Sequence, residues 1–482
     1  MPACARPVKS HRMIPASFSA HDCTFKMRLT GMGHPSKNIF MQVSRPLTVS
    51  ASLKGLSGRT RVPGDKSISH RSLMLAALAS GRTRVTGLLE GEDVLRTADA
   101  MRALGATITR EGTEWTIEGR GVGALTEPAD VLDMGNSGTA ARLLSGILSS
   151  HAFNSVMTGD ASLRSRPMRR VTAPLAANGA EFLTREGGRL PMAVRGTGEA
   201  KPIEYRLPVA SAQVKSAILL AGLNAHGTTI VEEPVATRDH TENMLRHFGV
   251  EVDVSRLDAG GRRIALTGPV VMTARDVTVP GDPSSAAFPI VAALLVPGSD
   301  IWIEGVGLNP LRTGLFTTLI EMGASLSIEN ERVEGGEPVG DLHVRHSQLK
   351  GVDVPPERAP SMIDEYPVLA VACAFAEGPS RLRGLEELRV KESDRLASTV
   401  ALLNVNGAET EVIGDDLIVK GADAPLGGGT VQTHMDHRLA MSAVVLGLAA
   451  AKPVNVDDTA FIETSFPGFV ELMNALGAGL AA

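Results

Sequence analysis

One phrase recurs six times along the chain: an amphipathic run, a glycine, then a strand-like alternation. The copies are TADAMRALGATITR, VTAPLAANGAEFLT, TENMLRHFGVEVDV, TGLFTTLIEMGASLSI, ASTVALLNVNGAETEV and VELMNALGAGL. Their glycines, Gly105, Gly179, Gly249, Gly323, Gly407 and Gly477, are separated by 74, 70, 74, 84 and 70 residues. Apolar residues at helical spacing before each glycine predict a helix closed by a glycine C-cap, and the alternation after it predicts a strand. A second phrase precedes each copy: SISHRSLMLAALASG, NSGTAARLLSGILSS, SAQVKSAILLAGLNAHG, DPSSAAFPIVAALLVPG, IDEYPVLAVACAFAEG and DHRLAMSAVVLGLAAA. A helix apolar nearly all round belongs in the interior, and each of these carries its polar residues at its N-terminal end. The chain is therefore predicted to be α/β: buried helix, strands, surface helix and strand, repeated in six units.

The word VPGD occurs at Val62–Asp65 and again at Val279–Asp282, 217 residues apart, which is about three repeats. Pro-Gly is turn punctuation. The two words predict crossings between two three-repeat halves. Residues 63–279 would form an inserted domain, and 280–482, completed by a strand within 47–62, a discontinuous one.

Residues 1–46 read differently. The first fifty residues hold seven Lys/Arg and one acid, Asp22, with scattered Pro and Ser and no strong period. A basic, acid-poor, Ser-containing leader is the signature of a targeting presequence. A disordered extension or an early start codon, with Met41 as the alternative start, fits the same composition.

Composition narrows the function classes. A net charge of −5 gives no bulk basicity for nucleic acid, and 3% aromatics argues against a base-stacking platform. Cys4, Cys23 and Cys373 make neither a zinc pattern nor a disulfide framework, which suits a reducing compartment such as the cytoplasm. No apolar run reaches the roughly 18–20 residues of a membrane span. LAMSAVVLGLAAA (439–451) is read as a buried helix.

The buried helices begin PGDKSISHR, GNSGTAAR, PVASAQVKS, PGDPSSA, PSMIDEYP and HMDHR. Helix N-termini expose unpaired N–H groups at the positive end of the dipole and so favour anions. Ser67, Asn136, Ser137, Thr139, Ser211 and Gln213 are short polar groups suited to oxyanions. Lys66, Arg71, Arg166, Arg238, Lys391, Arg395 and Arg438 lie in or beside these junctions. Arg binds carboxylate and phosphate through paired donors. Seven cations at loop–helix junctions of an acidic protein imply a focused positive cleft for a multiply anionic small molecule.

Two acids stand among these cations, Asp364 in PSMIDEYP and Glu392 in KESDR. Taken alone, LRVKESDRLA (388–397) is a solvated charge run in which Ser393 caps a helix and Asp394 lies in its first turn. Asp364 taken alone is likewise an N-cap. As chemistry, Asp364 is a base for a hydroxyl proton, and an acid role for Glu392 requires a desolvated carboxyl that keeps its proton. His434 and His437 lack a third ligand at fitting spacing, so no metal site is expected. Neither a dinucleotide or Walker-type loop nor a GxSxG elbow is present in a usable context.

Together PGDKSISHR, LDMGNSGTAAR, GDASLRSRPM, SAQVKSA, TRDHTE, PSMIDEYP, EELRVKESDR and THMDHRLAMS, spanning 63–442, resemble the 5-enolpyruvylshikimate-3-phosphate synthase family, in the bacterial branch often called class II. The likeness continues through SFPGF. The resemblance implies two domains of three βαβαββ units with the site in the interdomain cleft. It implies shikimate 3-phosphate and phosphoenolpyruvate as substrates, no metal or organic cofactor, and a cytoplasmic monomer that binds neither nucleic acid nor membrane. By motif match, Lys66, Asn136, Gly138, Arg166, Gln213, Arg395 and Arg438 should meet phosphoenolpyruvate. Lys66, Ser67, Arg71, Ser211, Ala212, Gln213, Arg238, Asp364 and Lys391 should hold shikimate 3-phosphate. Asp364, Glu392 and Lys66 should be catalytic, Asp364 accepting or orienting the 5-hydroxyl proton and Glu392 protonating the enol methylene carbon and later helping to remove a proton.

Some members have a second serine where Ala212 stands and a lysine where Thr464 precedes SFP, so the phosphate contacts are expected to be redistributed. Some class II members have alanine where Gly138 stands, and the glycine is expected to leave room for glyphosate. Two alternatives stay open at this point. The sister UDP-N-acetylglucosamine enolpyruvyl transferases share fold and donor, but typically carry a cysteine in the loop matching GDASLRSRP, which here holds Ala161. A non-catalytic anion-binding protein on the same scaffold is the other.

Overall fold

The computed structural model describes residues 44–258, 260–421 and 426–481. The extension expected over 1–46 lies, up to residue 43, outside the described residues.

Both recurrent phrases form the predicted helices. The second phrase gives Lys66–Leu78, Gly138–Ser149, Ala212–Gly222, Pro283–Leu295, Tyr366–Ala374 and His437–Ala449. They are buried nearly all round: every residue of Tyr366–Ala374 is buried, and all of Pro283–Leu295 except Leu295. Small residues let these helices approach closely. A Cβ on Gly146 would stand 2.1 Å from the Ala217 carbonyl oxygen of the neighbouring helix Ala212–Gly222. No helix among the described residues is long and apolar enough to cross a membrane. Cys373 lies in the fifth buried helix, and burial pushes its thiol up to about 12.

The first phrase gives the surface helices Glu92–Ala103, Arg169–Leu175, His240–His247, Gly314–Glu321, Arg395–Val405 and Phe469–Ala475. All six phrase glycines have φ between 87° and 105°, the left-handed conformation in which a Cβ would be strained. Five close their helix with the same two bonds. Gly105 N–H reaches the Arg102 carbonyl at 2.9 Å and Ala106 N–H reaches Met101 at 3.1 Å, with counterparts at Gly249, Gly323, Gly407 and Gly477. At Gly179 the helix tightens into a 3-10 turn, and the Asn178 side chain takes the second bond, accepting from Ala180 N–H at 3.0 Å.

Five four-stranded sheets share one plan: a parallel pair at one edge, then two antiparallel neighbours. In one, Leu132–Asp133 pairs parallel with Asn154–Thr158, which pairs antiparallel with Arg189–Arg195, itself antiparallel to Glu181–Arg185. In Arg189–Arg195 the side chains of Leu190, Met192 and Val194 are buried, the period of two that strands impose. The sixth unit departs from expectation. Among the described residues no strand follows Gly477. Its sheet has three strands, and Leu47–Val49 from the other end of the chain pairs antiparallel with Val454–Val456.

Distant segments complete two further sheets. Ser57–Thr60 pairs parallel with Asp300–Gly307, and Val277–Thr278 pairs parallel with Ser80–Thr86. The buried apolar residues form two clusters, one from Ile68 to Val279 and one from Leu47 to Val62 and Ala286 to Leu480. The two VPGD words meet where the chain passes between them. Asp65 N–H donates to Pro280 O at 2.8 Å and Asp282 N–H to Pro63 O at 2.9 Å.

Candidate active site

Capping explains why the polar ends of the buried helices gather as they do. Asp65, Ser137, Ser211, Asp282 and Asp436 each accept a bond from a backbone N–H in the first turn of the helix they precede. Ser211 and Ser137 therefore serve their own helices, and Ser137 is fully buried. Ser67 stays half-buried at the start of Lys66–Leu78, and Ala212 opens its helix without a polar side chain. Two capping expectations change. Asp394, not Ser393, caps Arg395–Val405, its Oδ1 accepting from Ala397 N–H at 3.0 Å, while the Ser393 hydroxyl donates to Asp436 Oδ2 at 3.1 Å. Asp364 is not a cap either: Glu365 occupies that position before Tyr366–Ala374, without a side-chain capping bond.

Asp364 is free of capping duty and lies at the meeting of the two apolar clusters. Its Oδ2 accepts from Arg238 Nη2 at 2.7 Å, and its Oδ1 faces Arg395 Nη1 at 3.2 Å and Lys391 Nζ at 3.8 Å. Arg438 Nη1 donates to its backbone carbonyl at 3.2 Å. Burial alone would raise the Asp364 carboxyl, but Lys391, Arg238, Arg438 and Arg395 outweigh it and hold it well below the carboxylate range.

Arg395 organises the other side of the cluster. It is 1% exposed, and its fork meets Asp364, Glu392 Oε2 at 2.5 Å and Asp436 Oδ2 at 2.7 Å. Burial would lower this guanidinium, but the three carboxylates raise it. About a third of the Glu392 side chain, 35%, is open to solvent. Burial pushes its carboxyl up, but Arg395, His437 and Arg166 prevail and lower it, so it is ionised. The proton that an acid role requires is thus not held by Glu392 in this state.

Across from these residues, Arg166 Nη2 donates to Asn136 Oδ1 at 2.9 Å, and Asn136 Nδ2 donates to Asp160 at 2.7 Å. Gly138 opens its helix beside them. A Cβ there would stand 3.0 Å from Arg142 Nη1 and 3.3 Å from Arg166 Nη1. Gln213 accepts from Arg142 Nη1 at 2.6 Å and donates to Thr139 Oγ1 at 3.1 Å. Lys66 Nζ pairs with Asp93 Oδ2, and Lys391 also pairs with Glu387 at 2.6 Å.

The seven expected cations are therefore not equivalent. Arg238, Lys391, Arg395 and Arg438 surround Asp364, and Arg166 acts on Glu392. Arg71 is 4% exposed and bonded to Thr241 Oγ1 and Ser216 Oγ at 2.8 Å and to Ser67 O at 2.9 Å. Burial pulls its guanidinium down to about 10. Any ligand contact it makes must use the N–H groups these three bonds leave over.

Sequence reasoning passed over Arg142, Asp93 and Asp436. Arg142 is 7% exposed, has no carboxylate partner among the described residues, and its Nε is unbonded. Burial, then Arg170 and Arg166, draw it down to about 9. Its place four residues after Gly138 on one helix was the available signal, since i and i+4 share a face. Asp436 occupies in the sixth repeat the capping place that Asp65 and Asp282 hold in the first and fourth.

The family model described as EPSP synthase (3-phosphoshikimate 1-carboxyvinyltransferase) matches residues 51–473. A 3-phosphoshikimate 1-carboxyvinyltransferase of Gluconobacter oxydans (strain 621H) is 95% identical over 440 residues, covering 91% of this chain and 100% of that protein. Its counterpart in Granulibacter bethesdensis is 68% identical over 448 residues, 92% of this chain and 99% of the other. Among solved structures, EPSP synthase from Acinetobacter baumannii matches with a TM-score of 0.83 at 46% identity, over 90% of this chain and 99% of that one. The enolpyruvyl transferase NikO from Streptomyces tendae, at 20% identity and a TM-score of 0.71 over 91% and 99%, shares the fold.

Proposed function

The chain belongs to the EPSP synthase family, and from that membership we propose that its cleft transfers the carboxyvinyl group of phosphoenolpyruvate to the 5-hydroxyl of shikimate 3-phosphate, with release of phosphate. The fold is the two-domain enolpyruvyl transferase fold, and the enzyme is a 3-phosphoshikimate 1-carboxyvinyltransferase of the shikimate pathway. We read 63–279 as one domain and 47–62 with 280–482 as the other, supported by the two apolar clusters and the paired crossings. The enzyme is read as a cytoplasmic monomer on the same footing.

The observation that carries the assignment of roles is one buried guanidinium, Arg395, held between Asp364 at 3.2 Å and Glu392 at 2.5 Å, with Asp364 bonded across the cleft to Arg238 at 2.7 Å. Two carboxylates facing a concentration of positive charge suit two proton transfers beside anionic substrates. Arg166, Arg395, Arg438 and Lys66, with Asn136, Gly138 and Gln213 beside them, take the carboxylate and phosphate of phosphoenolpyruvate. Arg238, Lys391, Lys66, Ser67, Ser211, Ala212, Gln213 and the spare donors of Arg71 hold shikimate 3-phosphate. Asp364 accepts the 5-hydroxyl proton as that oxygen bonds to C2 of phosphoenolpyruvate.

Glu392 must deliver a proton to the methylene carbon, yet it is ionised in the free protein. The substrates themselves supply the correction. Their anionic groups take up the charge of Arg395 and Arg166 and displace water, and both effects raise the Glu392 carboxyl. Once protonated it can give that proton to the methylene carbon, and its carboxylate then takes a proton back from the methyl group as phosphate leaves and the vinyl group reforms.

The test is phosphate release from purified protein with both substrates, with each alone, and with UDP-N-acetylglucosamine in place of shikimate 3-phosphate. Release is expected only with shikimate 3-phosphate and phosphoenolpyruvate together. Glu392→Gln should lose about 10²-fold or more in kcat with a smaller change in KM. Release with the nucleotide sugar instead would overturn the reading.

A further inference from the structure

Glu365 follows Asp364 in the chain and has no part in the chemistry above. It is 1% exposed. Its Oε1 accepts from the Ser284 hydroxyl and lies 4.0 Å from Arg312 Nη2, and its Oε2 has no partner among the described residues. Arg312, 2% exposed, is the centre of this cluster. Its Nη1 donates to Asp65 Oδ2 at 2.9 Å, and its Nη2 to Asp282 Oδ1 at 3.0 Å and Ser284 Oγ at 2.8 Å. Asp65 and Asp282 are the aspartates of the two VPGD words. Each also caps the helix after it, accepting from Ile68 N–H at 2.9 Å and Ser284 N–H at 2.8 Å. Lys66 is the first residue of the helix that Asp65 caps.

One buried guanidinium therefore faces three buried carboxyl groups, and its direct bonds to carboxylates go to Asp65 and Asp282. An ionised Glu365 would leave one oxygen bare in the interior, which costs more for a charged group than for a neutral one. It would also set a second negative charge beside Asp364.

We propose that Glu365 is a positioning residue that works as a neutral, proton-bearing carboxyl. Through Ser284 and Arg312 it ties the turn presenting Asp364 to the caps of both crossing segments. Asp364 and Lys66 thereby keep one spacing, and Asp364 alone carries negative charge at that turn. Charges around the group agree. Burial pushes the Glu365 carboxyl up, Arg312 opposes it, Asp364 adds to the rise, and Arg438 and Arg238 oppose it more weakly. The proposal rests on the role assigned to Asp364 above.

The experiment compares wild type with Glu365→Gln, a neutral hydrogen-bonding isostere, and Glu365→Met, which fills the space without polar atoms. Phosphate release gives kcat and KM, and infrared spectra at neutral pH report protonated carboxyl groups. Gln is expected to keep kcat within about threefold, with its pH profile unshifted, and Met to lose about tenfold or more in kcat. The carbonyl stretch of a buried protonated acid should be present in wild type and missing from the Gln protein. Gln falling as far as Met would show that the charge is needed, and an unimpaired Met variant would show that packing suffices. A band unchanged by Gln would show that Glu365 is ionised. Any of the three overturns the proposal. The Gln variant and the band decide it even where Met fails to fold. A wild type that releases no phosphate would sink the assigned reaction instead, and the infrared comparison would still stand.

Discussion

Four cations face Asp364, and their charge sets what a single substitution there does. Its folded-state pKa is depressed, so its ionisation stabilises the fold above the ordinary carboxyl pKa near 4. That contribution is lost as pH falls through the depressed folded value. Asp364→Asn should therefore lower the melting temperature at pH 7 and cost less below about pH 4, where the unfolded chain takes up the proton that the folded group still refuses, which thermal melts from about pH 5 down to about pH 2 would follow. An equal cost across that range would refute the sign. Gly138 acts through space. The methyl of Gly138→Ala would press on Arg142 and Arg166, both beside the expected phosphoenolpyruvate pocket. Glyphosate should inhibit wild type competitively with phosphoenolpyruvate, and Gly138→Ala should weaken that inhibition about tenfold or more, since displaced arginines lose charge-assisted bonds. A wild type already tolerant of glyphosate would contradict this. Glu392 could be picked from sequence because it lies between Lys391 and Arg395, and Asp364 because it precedes a buried helix, where the other repeats collect their polar and charged groups. Arg142 and Glu365 were missed because their significance lies in absent partners, which no local pattern records.

At the scale of elements, two kinds of glycine carry the repeat, and they should fail differently. Gly407 has φ 90° and nothing within 4 Å of an added Cβ. Gly407→Ala should therefore cost only the left-handed penalty of about 1–2 kcal/mol. Gly146 has ordinary helical surroundings but almost touches the next helix. Gly146→Ala must push two buried helices apart, and overpacking of this kind costs about 1–3 kcal/mol. Urea unfolding would measure both, and phosphate release would separate them: the Gly146 change should also reduce turnover, because helices Gly138–Ser149 and Ala212–Gly222 carry Gly138, Ala212 and Gln213. Helices and their caps were legible because their pattern is local. The strand expected after Gly477 does not form among the described residues, and the sheet there takes Leu47–Val49 instead, from the 47–62 segment expected to complete that half.

At the scale of the molecule, the candidate site draws residues from both apolar clusters. Arg238 belongs with one apolar cluster and Asp364 with the other, and their 2.7 Å bond spans the gap. A ligand that neutralises the facing cations should favour closure. Saturating shikimate 3-phosphate is expected to reduce the radius of gyration in small-angle scattering, and Arg238→Ala to diminish that change. Identical scattering with and without the ligand in wild type would count against it.

Periodicity, turn residues and charge are written locally, so the repeating α/β units, the paired VPGD turns and a candidate group of acids and cations could be read from the chain alone. Which cations meet Asp364, the burial of Arg71 under its bonds to Ser67, Ser216 and Thr241, and the one arginine that joins both VPGD caps to the turn carrying Asp364 emerge from the folded chain. Those outcomes depend on distances between residues tens to hundreds of positions apart, and on burial, which sets how strongly charges act on each other.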